Sequence, residues 1–490
     1  MVSTRATQLA EMPALLGEWR NGSGSLAERL ATAIEQAIER GELLEGWSLP
    51  SERNLASGLD VSRSSIVRSM QILAERGAIR RVHGAGNFVT GPPRATRPAS
   101  LPPSLRLKYQ LGSNTDPGII AATIPSSSDL PPEARTLSAT DLLEAHPGGE
   151  RSGSGYNLAG LSTTRRAIAS LLSDHDFPTA PESLIITTGA TQSLSLALGQ
   201  MLAPGDVVVV ESPTYPTTLD LLRRVGVRVV SVGTGDAAID TNALARAAMK
   251  ARAKMVVVMS TCNVATGHSV DAGARPALVA LADAGITVVD DHTLADYHPA
   301  PRPRAVAALS DHRNIITVGS FNKIYWGGLR IGWLRTHPSL VESLIRTKSK
   351  TDAGSSVPSQ IILTKLIPHH DAIVENRRSQ VARRAEHVRR IIHNELSDWR
   401  VEGAGYGPSM WVRLPVHDSA KFVAFAYRNG TAVGYGGMYR SDGRAAPHIR
   451  LTLTSSDEDV ANGLADLKIA WSAFPGSDGT PNNGNLARTR

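Results

Sequence analysis

Gly319-Ser320-Phe321-Asn322-Lys323-Ile324-Tyr325-Trp326-Gly327-Gly328-Leu329-Arg330-Ile331-Gly332 follows directly on the apolar run Ile315-Ile316-Thr317-Val318. A short apolar run rich in β-branched residues suits a strand covered on both faces, as in a parallel sheet. Lys323 then stands where the chain leaves a strand, with a hydroxyl three residues before it at Ser320 and a guanidinium seven after it at Arg330. A lysine amine in such a place can form a Schiff base with an aldehyde if partial desolvation lowers its pKa. Ser320 and Arg330 suit the phosphate of an aldehyde-bearing cofactor, Arg330 through paired charge-assisted hydrogen bonds. A lone lysine in a loop is more often a solvated charge, so the other segments must decide.

Asp290 ends another buried-looking strand, Ile286-Thr287-Val288-Val289. Strand ends of an open α/β sheet face the ligand crevice. An acid there can pair with a ring nitrogen and keep a pyridinium protonated, the electron sink of pyridoxal phosphate chemistry. Upstream, Leu184-Ile185-Ile186-Thr187 runs through Thr188 and Gly189 into Ala190-Thr191-Gln192-Ser193-Leu194, a strand, a small-residue turn and a helix. The N–H groups at such a helix start can hold an anion, although an ordinary cap has the same pattern. The strand 207–210 leads into Glu211-Ser212-Pro213-Thr214-Tyr215-Pro216, which can lay Tyr215 flat against a ring.

In order and spacing these segments resemble the fold-type I aminotransferases that use pyridoxal 5′-phosphate, from about residue 156 to the helix before Pro475. The most specific signature is Ser-x-x-Lys followed by Gly-Leu-Arg-x-Gly. The resemblance implies a mostly parallel sheet in a large subdomain and a small α+β subdomain. It implies Lys323 as the catalytic, cofactor-bonding amine, Asp290 on the pyridinium nitrogen, and Tyr215 stacked on the ring. Gly189, Ala190, Thr191, Ser320 and Arg330 would surround the phosphate, and Arg450, in His448-Ile449-Arg450-Leu451-Thr452, would grip the carboxylate of an amino acid. Two positions depart from the family. His292 stands two residues after Asp290, where a tyrosine usually binds the cofactor's 3′ oxygen, and is assigned that hydrogen bond here. Ala265 replaces the proline before Thr266-Gly267, and Asn263 nearby is assigned a polar contact to the cofactor.

The first hundred residues carry a different pattern. Ser51 precedes Glu52-Arg53-Asn54-Leu55-Ala56 as a helix cap, and Val61-Ser62 turns into a second helix that begins Arg63-Ser64-Ser65. Ile66, Met70 and Leu73 have the spacing of a buried stripe on that helix. Its first turn, with Ser62, Arg63, Ser64 and Ser65, suits contacts to base edges and phosphates, and Arg53 adds a basic group beside it. Arg80-Arg81-Val82-His83-Gly84-Ala85-Gly86-Asn87-Phe88-Val89 reads as a hairpin whose tip, His83 and Gly84, can approach a groove. The pattern resembles the winged helix-turn-helix of the GntR family over residues 26–90. Residues 51–97 hold eight arginines against three acids, while the whole chain is only +7 with a pI near 9.6. Local clustering of that kind is the footprint of nucleic-acid binding. The arginine pairs at 377–378, 383–384 and 389–390 lie in a long helical stretch with Glu, Gln and His and read instead as a solvated helix face.

A GntR-type head joined to an aminotransferase-like body is the architecture of the MocR subfamily of bacterial transcription regulators, which the chain resembles from residue 26 to about 474. The domains expected are a DNA-binding head over 22–92, a proline-rich linker over 93–110, a pyridoxal phosphate-binding body over 111–474 and a disordered tail over 475–490. With 490 residues, 41% of them hydrophobic, the chain can bury sizeable cores in two or three domains. Residues 1–21 hold no continuous apolar core of signal-peptide length, no segment approaches a membrane span, and the single cysteine, Cys262, excludes an internal disulfide, so a cytoplasmic location is expected. No His, Cys and acid cluster has metal-ligand spacing. The function expected is a homodimeric regulator that binds double-stranded operator DNA and senses an amino acid, an amine or the cofactor itself. A working aminotransferase with a vestigial head is the alternative.

Overall fold

The computed structural model describes residues 16, 19–20, 24–39, 43, 49–75, 78–82, 86–89, 156–234, 239–442 and 444–475. The wing tip with His83 and Gly84, the linker over 93–110, the first part of the body over 111–155 and the tail from 476 lie outside the described residues. The chain divides into two compact units, 1–100 and 101–490.

The first unit contains α1 (Leu26–Glu39), α2 (Glu52–Gly58), α3 (Arg63–Glu75) and the antiparallel pair β1 (Ile79–Val82) and β2 (Gly86–Val89). Ser51 caps α2 by accepting the Asn54 N–H, and Ser62 accepts the Ser65 N–H at the start of α3. Every fourth residue of α1, Leu30, Ile34 and Ile38, is buried against Ile66, Met70 and Leu73 of α3 and Leu55 of α2. Ser69, wholly buried on α3, donates to the Ala27 carbonyl of α1 at 2.7 Å. The hydroxyl thus meets a backbone acceptor at the start of α1 and fixes the crossing of the two helices.

The second unit is built on a seven-stranded sheet with the order β3 (Leu184–Thr187), β9 (Gly332–Arg335), β8 (Ile315–Ser320), β7 (Thr287–Asp291), β6 (Met255–Val258), β4 (Val207–Ser212), β5 (Arg228–Gly233). Neighbours from β8 to β5 run parallel, and β9 is antiparallel to both β3 and β8. Because side chains alternate along a strand, the central strands feed two cores. Val209, Val256, Val258 and Val288 enter one, and Val208, Val210, Val257, Val289, Ile316 and Val318 enter the other, which the helix α5 (Ala190–Met201) covers. The four-stranded antiparallel sheet of the small subdomain has the order β10 (Arg400–Glu402), β11 (Ser409–Arg413), β13 (His448–Thr452), β12 (Gly434–Tyr435). It packs with α11 (His370–Glu395), α12 (Ala420–Arg428) and α13 (Asp457–Ser472) around Trp399, Phe422 and Trp471.

The helix α11 departs from the solvated face expected of its arginines. Arg377 and Arg384 are buried: Arg377 donates to the Ile324 and Tyr325 carbonyls, and Arg384 donates to the Leu453 carbonyl and pairs with Asp457. A planar fork can satisfy several carbonyls at once, which permits burial of a cation that lysine could not support in the same way. Arg383 and Arg390 remain exposed.

Candidate functional site

The ends of β4, β7 and β8 open on a cavity of about 420 Å³ whose wall includes Lys323, Asp291, Tyr215, Ser320, Arg330 and Arg450. Lys323 closes the short turn that follows β8, where Ser320 caps the turn by accepting the Asn322 N–H. Three backbone carbonyls in a row are held here. The Tyr297 hydroxyl donates to Lys323 at 2.8 Å, and Arg377 donates to Ile324 at 3.0 Å and to Tyr325 at 2.9 Å. Burial first, and then the charges of Arg450 and Arg330, bring the Lys323 amine down to about 8, with Asp291 acting against them. A neutral amine near that pH is a competent nucleophile or base.

Gly189, Ala190 and Thr191 lie at the opposite wall, where α5 begins. The first N–H groups of a helix lack intrahelical acceptors, so they suit an anion. Gly189 has φ +137°, and a Cβ built there would lie 2.8 Å from Asn322 Nδ2, 3.7 Å from Arg330 Nη2 and 3.8 Å from Ser320 Oγ. Helix start, hydroxyl and guanidinium therefore converge on one spot that only glycine leaves open. Asn322, which sequence reading passed over, ties that spot together by accepting the Ile331 N–H and donating to the Thr188 carbonyl. Its only signal was its place beside Lys323.

On β7 two adjacent acids are placed differently. Asp290 follows the face of Val288 and is wholly buried. It accepts from Ser260 N at 3.1 Å and Ser260 Oγ at 2.8 Å and pairs with His292 Nε2 at 2.9 Å. Burial would raise its pKa, but His292, Arg275 and Ser260 together hold it below the usual value. Asp291 follows the face of Val289 and lines the cavity with Thr293. The His292 ring lies 6.1 Å from that of Phe177, and Thr293 lines the cavity. The cause is the period of two along the strand, which sends adjacent carboxylates to opposite sides. Burial pushes Asp291 up, against the hydrogen bonds that it accepts from Thr293.

Asn263 is tied into the loop that follows β6. Its amide donates to the Pro213 carbonyl at 3.0 Å and its oxygen accepts the Ala265 and Thr266 N–H groups, so it shapes the loop after β6 and does not line the cavity. Glu211, buried at the end of β4, accepts the Met259 N–H at 2.7 Å, and burial pushes its carboxyl up to about 8. Tyr215 stands at the start of the helix Pro216–Val225 on the cavity wall. Arg450 comes from β13, with Nε donating to the Val264 carbonyl at 2.9 Å and to Ser409 Oγ at 3.0 Å, and its guanidinium lies 5.9 Å from the ring centre of Tyr439. That anchoring sets the guanidinium on the cavity wall. Tyr439 lines the cavity as well, a residue with no motif in the chain to mark it.

In the head, Arg53, Ser62, Arg63 and Ser64 are exposed and Ser65 is half-buried. Ser62 Oγ lies 2.9 Å from Ser64 Oγ and 2.8 Å from Ser65 Oγ, a hydroxyl cluster at the first turn of α3. Arg81, on the wing, pairs with Glu52 at 3.1 Å.

The family described as Aminotransferase class I and II matches residues 127–467, and that described as Bacterial regulatory proteins, gntR family, matches residues 26–89. The HTH-type transcriptional regulator YjiR of Escherichia coli is 29% identical over 64% of this chain and 70% of its own length. The HTH-type pyridoxine biosynthesis transcriptional regulator PdxR of Corynebacterium glutamicum is 27% identical over 80% of this chain and 82% of its own. Among solved structures, the α-aminoadipate aminotransferase LysN of Thermus thermophilus, complexed with N-(5′-phosphopyridoxyl)-L-leucine, superposes with a TM-score of 0.66 at 22% identity, over 75% of this chain and 96% of that one. Aminotransferases of this class use pyridoxal 5′-phosphate, and the cavity fits it: an anion cradle at Gly189, Ser320 and Arg330, an acid at Asp291 and a desolvated amine at Lys323. When bound, that cofactor supplies an electron-withdrawing ring that stabilises negative charge on the carbon bearing an amino group. The chain belongs to the aminotransferase class I and II family and joins to that body a head of the bacterial gntR family, the composition of a MocR-type transcription regulator.

Proposed function

We propose that this regulator acts in the cytoplasm as a homodimer, and that its body binds pyridoxal phosphate together with an amino acid or amine and thereby alters how two heads engage operator DNA. The observation that carries this reading is that Lys323, Asp291 and Arg450 open on one cavity. Arg450 offers a carboxylate a guanidinium already anchored by Val264 and Ser409, so little ordering is needed on binding. Lys323 offers the cofactor an amine, Asp291 a partner for its ring nitrogen, and Gly189, Ser320 and Arg330 a place for its phosphate. One head reads few base pairs, so specificity requires two heads whose placing depends on the bodies. A ligand shifts that placing only if it binds one body conformation better than another.

The test titrates the cofactor-loaded chain with single amino acids and amines while visible absorbance and affinity for promoter DNA are read together. The expected outcome is that one amino compound moves both, and that Arg450→Ala abolishes its effect on DNA while the cofactor stays bound. A wild-type response in Arg450→Ala removes that arginine from effector recognition. Turnover of the amino compound is a second reading, favoured by a Lys323 amine at about 8, where it can give and take protons. Keto-acid release from an amino acid, measured on the same protein, decides it.

A further inference from the structure

Arg335 ends β9 at the sheet edge opposite the Lys323 cavity, paired in register with Thr317 of β8 and Leu184 of β3. Its side chain is 8% exposed, yet its Nε has no hydrogen-bond partner, and its guanidinium makes no hydrogen bond or ion pair among the described residues. The Phe177 ring lies 5.4 Å from the guanidinium carbon. A ring attracts the face of a guanidinium and leaves the N–H edge unsatisfied. Asp311 lies close enough to support the cation electrostatically, against a burial that depresses its pKa, but it is exposed and forms no ion pair with it. A buried cation left in that state is unfavourable, and such groups in native proteins point to a missing ion or ligand.

Arg335 and Asp311 line a cavity of about 490 Å³. Thr336, wholly buried on its wall, also has a hydroxyl without a partner. The helix Pro338–Lys348 begins there, and His337 caps it by accepting the Ser339 N–H, so its positive end faces the same space. A fork of N–H groups, an unused hydroxyl and a helix start are a complementary set for an oxyanion. We propose that this cavity is a second ligand site, separate from the Lys323 cavity, that takes a small phosphate or carboxylate on the guanidinium of Arg335. Asp311 at its rim disfavours highly charged anions, so a small monoanion or dianion is the class expected.

The test is calorimetric titration of the full chain, saturated with pyridoxal phosphate so that the cradle at Gly189 is filled, with inorganic phosphate and separately with acetate. Saturable binding of either is expected, and which of the two binds names the source of the oxyanion. Arg335→Met should lose it by about tenfold or more, Arg335→Lys should keep a weakened form, and Arg330→Gln should leave it intact. Because Arg335→Met removes an unpaired buried charge, it should melt no lower than the wild type in anion-free buffer and lose the anion-dependent rise in Tm. Should Arg335→Met fail to fold, the Arg335→Lys titration decides. Absence of saturable binding by both anions, or unchanged binding in Arg335→Met or Arg335→Lys, overturns the proposal. Loss of binding in Arg330→Gln overturns it too, since the anion would then belong to the Lys323 cavity.

Discussion

Asp290 and Asp291 are neighbours on β7, yet only Asp291 opens on the cavity that holds Lys323, while Asp290 is wholly buried against Ser260 and His292. Asp290 belongs to a girder that continues through Ser260 to Arg275, whose Nη1 meets Ser260 Oγ at 3.1 Å. Two acids of one type, side by side, therefore differ in what their loss does.

Asp291→Asn is expected to weaken pyridoxal phosphate binding by about 1.5–3 kcal/mol, the worth of a hydrogen bond to a charged group, with little change in fold stability. Asp290→Asn should do the reverse and lower stability by about 1–3 kcal/mol through the unpaired His292 and Ser260. Absorbance titration with the cofactor and urea unfolding of both variants separate the roles. Equal cofactor affinity in Asp291→Asn and wild type would return the ring-nitrogen role to another group.

Lys323→Ala protein should be colourless, and borohydride should fix the cofactor covalently to wild type alone, at Lys323 by peptide mapping. The amine reacts only when neutral, and its pKa is lowered from 10.5 to about 8. Capture of added cofactor should thus slow about tenfold per pH unit below 8 and level off above it. A rate that kept rising to pH 10 would mean an amine exposed to water.

Glu211 carries a stability signature of opposite sense. Its folded pKa is raised from 4.5 to about 8, so the folded chain holds a proton there that the unfolded chain releases. Its contribution is fully present below about 4.5 and is lost as pH rises through about 8, with a slope of up to about 1.4 kcal/mol per pH unit between them. Glu211→Gln, which keeps an acceptor for the Met259 N–H, should flatten that slope and be the more stable chain at pH 8. Parallel slopes for the two proteins in urea melts from pH 5 to 8 would show Glu211 charged in the fold.

Arg53 and Arg63 are exposed at the first turns of α2 and α3. Arg63→Ala is expected to weaken operator binding by about 1–3 kcal/mol with relaxed specificity if it reads a base. A phosphate contact would instead weaken all sequences alike and reduce the salt slope by about one. Gel-shift titrations at several salt concentrations distinguish these. Unchanged promoter binding by both Arg53→Ala and Arg63→Ala would remove α3 as the reading helix.

The amino-acid sequence by itself determined the two-part composition, the α/β class of the body, and the loop in which Lys323, Ser320 and Arg330 meet, because those groups lie within eleven residues of one another, from 320 to 330, after a strand that its own apolar residues define. It likewise determined the buried stripe of α3, where Ile66, Met70 and Leu73 recur at the helical period. Only the tertiary structure showed which of two adjacent aspartates lines the cavity, since a shift of one residue along a strand reverses every side chain and the acids alone do not show which core lies on which side. Only the tertiary structure likewise shows that Asn263 donates to the Pro213 carbonyl and that His292 pairs with Asp290. Arg377, Arg384 and Arg335 look like surface charges in the chain, and their burial follows from carbonyls, rings and cavities supplied by segments remote in sequence. A local pattern carries the chemistry of a loop; the side to which a buried polar group turns is set by what packs against it.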